Sequence, residues 1–223
     1  MSSLNHPTLA NTVLITVSIL FVAAANSQMP APFDKSPKND VPVVVVDKVP
    51  KPWCAPRSVV ASKMRDTVSE YARLNGLAFK AFSFEQQSGD FGGVYYWRDM
   101  GSTQAWFNPA WFDRVKKERG ANAQVRYLEA PLSFDNTLGG TPANVDSSAV
   151  ATVVDIITPQ GVTQERLNAE FVADTPTNRK IPGLLRKHLT VTSNTFGGVY
   201  RWKDEASAKA RFDAAWHDRV RKD

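Results

Sequence analysis

The feature that most constrains this chain is a segment that occurs twice. Phe91-Gly92-Gly93-Val94-Tyr95-Tyr96-Trp97-Arg98-Asp99 returns as Phe196-Gly197-Gly198-Val199-Tyr200-Arg201-Trp202-Lys203-Asp204. The match continues without a gap, pairing Ser102 with Ser207, Phe107 with Phe212, Trp111 with Trp216 and Asp113-Arg114-Val115 with Asp218-Arg219-Val220. Upstream, Gly76-Leu77 and Lys80 align with Gly183-Leu184 and Lys187. Two Trp-bearing segments in one register mean two copies of one small fold, each with its own order of elements.

Hydrophobic patterning gives that order. Val43 to Val46 is an unbroken valine run after Pro42, a short buried strand. Ser58 to Leu74 places Val59, Met64, Val68 and Tyr71 near one helix face. Leu77 to Phe84 and Gly92 to Arg98 alternate as strands, joined by a hairpin through Gln87-Ser88-Gly89-Asp90. Ser102 caps a second helix to about Lys117, and Gln124 to Ala130 closes the copy as a strand stopped by Pro131. The second copy supplies a strand at Ala149 to Ile157, a helix from about Thr163 to Val172, strands at Leu184 to Thr192 and Gly197 to Lys203, and a helix from Ala206 to Arg221. The fold class expected is α+β: two tandem ferredoxin-like βαββαβ modules over residues 41–135 and 149–223, the second without its last strand. Residues 136–148, with Gly-Gly, Pro and Ser, read as the linker between them. A sheet without that strand leaves Ala149 to Ile157 as an apolar edge, which must be covered by another segment or by a second chain in a homo-oligomer.

The N-terminus reads differently. Val13 to Ala25 is an apolar run too short to span a bilayer and of the right length for a signal-peptide core, followed by small residues. Residues 1–27 are therefore expected to form a signal peptide cleaved after Ala25 or Ser27. Residues 28–40 are expected to be a Pro-rich linker. The mature protein is then exported, periplasmic or secreted, without stable membrane insertion. The net charge of +5 comes without a nucleic-acid recognition motif and reads as a solvated basic surface, so no nucleic-acid partner is expected. The single cysteine, Cys54, excludes an intrachain disulfide.

Ile181-Pro182-Gly183-Leu184-Leu185-Arg186-Lys187, a hairpin, and then Gly197-Gly198-Val199-Tyr200-Arg201-Trp202-Lys203-Asp204-Glu205-Ala206 resemble the signature of the YdhR-like monooxygenase family. The first copy matches through Asn75-Gly76-Leu77, Lys80 and Gly92-Gly93-Val94-Tyr95. The resemblance implies a dimeric α/β-barrel architecture, here built within one chain as a pseudo-dimer, with a pocket between helices and sheet in each module. It also implies oxidation of a small aromatic or quinone-like molecule, without a metal or flavin cofactor. The alternatives are a non-catalytic exported binder of a small apolar molecule and a structural pseudo-dimer.

Side chains alternate along a strand, so Tyr95 shares a face with Trp97, and Tyr200 with Trp202. An aromatic face suits a core or a flat ligand; the two Tyr hydroxyls each need a partner if buried. Lys80 and Lys187 sit mid-strand at equivalent positions, where they could snorkel or orient an anionic substrate. Tyr95, Trp97, Lys80, Lys187, Tyr200 and Trp202 are thus the candidate substrate-binding residues. His188 and Tyr200 are the catalytic candidates. No His, Cys or carboxylate spacing suggests a metal site.

Overall fold

A computed structural model describes residues 16–24, 41–51, 54–137 and 149–222. The linker 28–40 lies outside these residues, as does most of the linker 136–148. The strands are β1 (Thr16–Ala24), β2 (Val43–Val49), β3 (Leu77–Glu85), β4 (Phe91–Trp97), β5 (Gln124–Asp135), β6 (Val150–Ile157), β7 (Leu184–Val191) and β8 (Thr195–Trp202). The helices are α1 (Arg57–Asp66), α2 (Val68–Tyr71), α3 (Met100–Trp106), α4 (Pro109–Arg119), α5 (Gln164–Arg179), α6 (Glu205–Arg211) and α7 (Ala214–Lys222). The strands close into one antiparallel barrel in the order β1-β3-β4-β2-β5-β7-β8-β6.

The repeated strands occupy equivalent places. Val43 opposes Trp97 in the β2–β4 ladder, and Val150 opposes Trp202 in the β6–β8 ladder. Both modules keep the ferredoxin-like arrangement, a central pair flanked by the second strand of the unit. Alternation gives each sheet two apolar faces. One is covered by the module's helices: Val43, Val45, Tyr95 and Trp97 pack with Phe107, Trp111 and Val115, and Val150, Val154, Tyr200 and Trp202 pack with Ala208 and Trp216. The other faces the barrel interior, where Val44, Phe79, Val94 and Leu128 of the first module meet Ala151, Val153 and Val199 of the second. Each fully buried Val in these layers contributes about 1.5–3 kcal/mol of transfer free energy.

Several boundaries differ from the sequence expectation: the helix expected over Ser58 to Leu74 divides into α1 and α2, α5 runs past Val172 to Arg179, and Asp99 rather than Ser102 caps α3. The second helix of each module is broken. Asn108 caps α4 by accepting from the Trp111 N–H at 3.0 Å, with Pro109 at the first helical position where its missing N–H costs nothing. Strand β5 does not stop at Pro131. Its first half pairs β2 and its second half pairs β7, with the register shifting between Glu129 and Leu132. Pro131 falls inside that irregularity, where a residue without an N–H is tolerated, and the bend carries the strand from one module's sheet to the other's.

The described part of the apolar N-terminal run, Thr16–Ala24, takes a place within the barrel. In module one the place beside the first strand belongs to β5. In module two β1 holds it, pairing with β6 from Thr16↔Asp155 to Phe21↔Val150 and with β3 from Leu20↔Glu85 to Ala24↔Ala81. The correspondence holds in register, since Glu129 of β5 opposes Val43 and Phe21 of β1 opposes Val150. The edge of β6 is thus covered by another segment of the same chain, which removes the need for a second chain there. Cleavage after Ala25 or Ser27 would remove β1. A variant lacking residues 1–24 is expected to expose the β3 and β6 edges together and to dimerise or aggregate. Size-exclusion chromatography with light scattering checks this; an unchanged monomer with an unchanged melting temperature contradicts it.

Candidate functional site

The valine run of β2 continues its alternation to Asp47. Val43, Val45, Asp47 and Val49 face the helices, so a carboxylate is carried into an apolar layer. Asp47 is buried and stands opposite Gly93, whose N–H donates to Oδ1 at 2.5 Å. Oδ2 accepts from the Tyr95 hydroxyl at 3.1 Å, and that hydroxyl in turn accepts from Lys80 Nζ at 2.8 Å. The three groups form one buried hydrogen-bonded chain, Lys80 to Tyr95 to Asp47. Burial without such partners would cost several kcal/mol, of order 2–7, for each polar group.

Gly92 and Gly93 make room for it. A Cβ on Gly92 would overlap the Asp47 carbonyl oxygen, and one on Gly93 would lie 3.2 Å from the Tyr95 ring and 3.3 Å from Lys80 Cε. The glycine pair is therefore required by close approach of β2 and by the Tyr95 and Lys80 side chains.

The chain lies at the base of a cavity of about 400 Å³ between the sheet and α1, α2, α3 and α4. Val60, Met64, Phe82, Trp106 and Trp111 give it apolar walls, and Lys63, Glu70, Arg114 and Glu118 contribute charged groups. Such a volume, apolar with a few convergent polar groups, is that of a small-molecule site. Lys80 Nζ lies 3.1 Å from the centroid of the Tyr71 ring, which stands edge-on to Tyr95 at 6.0 Å.

Burial sets the protonation of these groups. It pushes the Asp47 carboxyl up to about 6, against the opposing pull of Lys80, Tyr95 and Gly93. It pushes the Lys80 ammonium well below the usual lysine value, with Asp47 and Glu70 acting the other way. Tyr95 is pushed far up, first by burial and then by the nearby Asp47 charge, and stays neutral. A carboxyl near 6 is an ionised but moderately basic group at neutral pH, matched to proton abstraction.

Of the candidate residues, Lys80 and Tyr95 are brought together here. Trp97 is not part of the lining; it stacks behind Tyr95 at 6.4 Å and belongs to the core. The second module has the same scaffold but different chemistry. Val154 stands where Asp47 stands, opposite Gly198 as Asp47 is opposite Gly93. Lys187 Nζ donates to Asn178 Oδ1 of α5 at 3.0 Å and lies 4.6 Å from the centre of the Tyr200 ring. Tyr200 stacks on Trp202, whose Nε1–H donates to Thr152 Oγ1 at 3.0 Å.

His188 is buried on the opposite face of β7 from Lys187, inside the barrel, stacked on Tyr96 at 4.6 Å, with Nδ1 2.8 Å from Ser133 Oγ. Burial and the nearby Arg186 hold its pKa down to about 3, so it is a neutral imidazole and a poor base. The two catalytic candidates, His188 and Tyr200, project to opposite sides of the sheet.

The chain matches no model of a known protein family and no curated protein. Solved structures do match it. A protein described as a putative monooxygenase from Fusobacterium nucleatum subsp. nucleatum superposes with a TM-score of 0.56 at 17% identity, over 82% of this chain and 86% of that one. A second protein so described, from Lactobacillus acidophilus, gives 0.54 at 9% identity, over 82% and 87%. The chain shares their fold. At these identities the likeness extends to architecture, and the chemistry rests on the residues above.

The raised pKa of Asp47 has a consequence for stability. A folded-state value of about 6 against 3.8 for the free group means that the folded protein holds the proton more tightly. The contribution is fully present below about pH 4 and is lost as pH rises through about 6, amounting to about 3 kcal/mol. Urea unfolding of wild type and Asp47→Asn is expected to show the wild type losing roughly that much relative to the variant between about pH 4 and about pH 8. A difference independent of pH would refute the shift.

Proposed function

We propose that the module-one cavity oxygenates a small phenol, or the keto tautomer of one, with Asp47 as the base and Tyr95 and Lys80 holding the reacting oxygen. The observation that carries the reading is the buried carboxyl at the base of an apolar cavity, tuned toward neutral pH and joined to two further hydrogen-bonding groups. Asp47 removes the acidic proton of the substrate. The resulting anion is electron-rich enough to react with dioxygen. One oxygen atom enters the substrate as a carbonyl in place of two hydrogens, and the other leaves as water, so no outside reductant is needed. The apolar walls exclude water from the anion and orient the ring against Trp106, Trp111 and Phe82. The fold shared with two proteins described as putative monooxygenases supports this reading. In this account module two is the structural half, since Val154 removes the base and Asn178 engages the lysine.

Oxygen uptake with a panel of phenols and hydroquinones tests the proposal. Asp47→Asn is expected to lower kcat by about 10²–10⁴, the usual worth of a positioned base, whereas Tyr200→Phe in module two leaves it within about twofold. In the wild type, kcat/KM is expected to rise with pH through an ionisation near 6 that the Asp47→Asn variant lacks. Equal losses in both variants, or uptake indifferent to Asp47, would overturn the assignment.

A further inference from the structure

In the oxygenation reading Lys80 only helps to hold the reacting oxygen, and the nucleophilic chemistry of its primary amine is not used. We propose that Lys80 is an imine-forming amine and that the module-one cavity takes small aromatic aldehydes or ketones as reversible covalent ligands. This goes beyond the oxygenation reading and needs no oxygen.

Three observations on the side chain support it. Lys80 is buried yet lines the cavity, so its nitrogen is shielded from bulk water and open to a ligand. Among the described residues it makes no direct ion pair; the Asp47 carboxylate is reached through the Tyr95 hydroxyl. The nitrogen is surrounded by ring faces, those of Tyr71, Phe82 and Tyr95 at 3.1, 4.3 and 4.3 Å to the centroids. An amine in such surroundings loses the hydration that favours its ammonium, which is how a lysine becomes a nucleophile near neutral pH. The same rings offer a stacking surface to an aromatic carbonyl compound.

The step balances. The Nζ lone pair attacks the carbonyl carbon and forms the C–N bond while the carbonyl oxygen takes up a proton. The carbinolamine then loses its hydroxyl as water when the C=N bond forms. Asp47, through the Tyr95 hydroxyl, supplies the proton to the departing oxygen and recovers the one released from nitrogen. Nothing is oxidised or reduced; amine and carbonyl give imine and water.

Lys187 is an internal control. It is equally buried at the equivalent strand position, but its Nζ is bonded to the Asn178 amide and it does not line this cavity. The full-length protein, kept anaerobic, is treated with 4-hydroxybenzaldehyde and sodium cyanoborohydride, and the reduced adduct is mapped by peptide mass spectrometry. One adduct at Lys80 is expected, forming ahead of any at exposed lysines, since a lowered amine pKa raises the free-amine fraction. Lys80→Arg should abolish it; should that variant not fold, the wild-type map alone decides. Adducts spread over surface lysines with Lys80 unmodified, or equal labelling of Lys187, would overturn the proposal. Labelling without oxygen uptake supports imine chemistry and removes the oxygenase reading. Uptake without labelling does the reverse.

Discussion

Each four-stranded sheet here has two apolar faces and only one set of helices. That mismatch is the constraint on which the structure depends. The helices of a module cover the face of Val43, Val45 and Trp97 or of Val150, Val154 and Trp202. The opposite faces, with Val44, Phe79 and Leu128 on one side and Val153 and Val199 on the other, can be buried only against each other. Two sheets packed in this way also need their edges joined, and β5 and β1 do so by pairing with one module over half their length and with the other over the rest. Closure into a barrel leaves no free edge among the described strands, the surest protection against edge-to-edge association.

With the scaffold fixed from inside, the helix-facing layer is free to diverge. The two modules present the same Gly-Gly-Val-Tyr strand, with Tyr95 and Tyr200 each next to a lysine on the neighbouring strand. A single change at the third partner separates them. Asp47 gives module one a carboxylate that Tyr95 and Lys80 must satisfy, and burial tunes all three. Val154 gives module two an apolar contact in the same place, and Lys187 turns to Asn178 on α5. The buried carboxylate and its partners thus sit on one half of the barrel, and an apolar contact takes their place on the other.

Much of the architecture was legible because strand alternation and a long in-register repeat are local signals. The Gly92-Gly93 and Gly197-Gly198 pairs, Lys80, Tyr95 and the order of elements could all be placed from them. Three things could not. Asp47 lies one residue beyond the valine run; only by extending the two-residue period through Val43 and Val45 does it fall on the site face. His188 reads as a titratable candidate in isolation, but its side of the strand is set by the β7–β8 register, which shifts at Leu184 and Arg186. The role of Val13 to Ala25 has no local signature at all, since an apolar run of that length suits an export signal or a barrel strand equally. Only the long-range pairing with β3 and β6 gives its described part, Thr16–Ala24, the place of a last strand.

The claim that ties these points together is that ligand chemistry belongs to the module-one cavity alone. A crystal structure of the protein soaked with 4-nitrophenol tests it most directly. The account predicts the ring between α1 and the sheet, walled by Met64, Phe82 and Trp106, with its oxygen within hydrogen-bond reach of Tyr95 or Asp47. The same ligand seated instead against Lys187 and Tyr200, or inside the barrel beside His188, would contradict it.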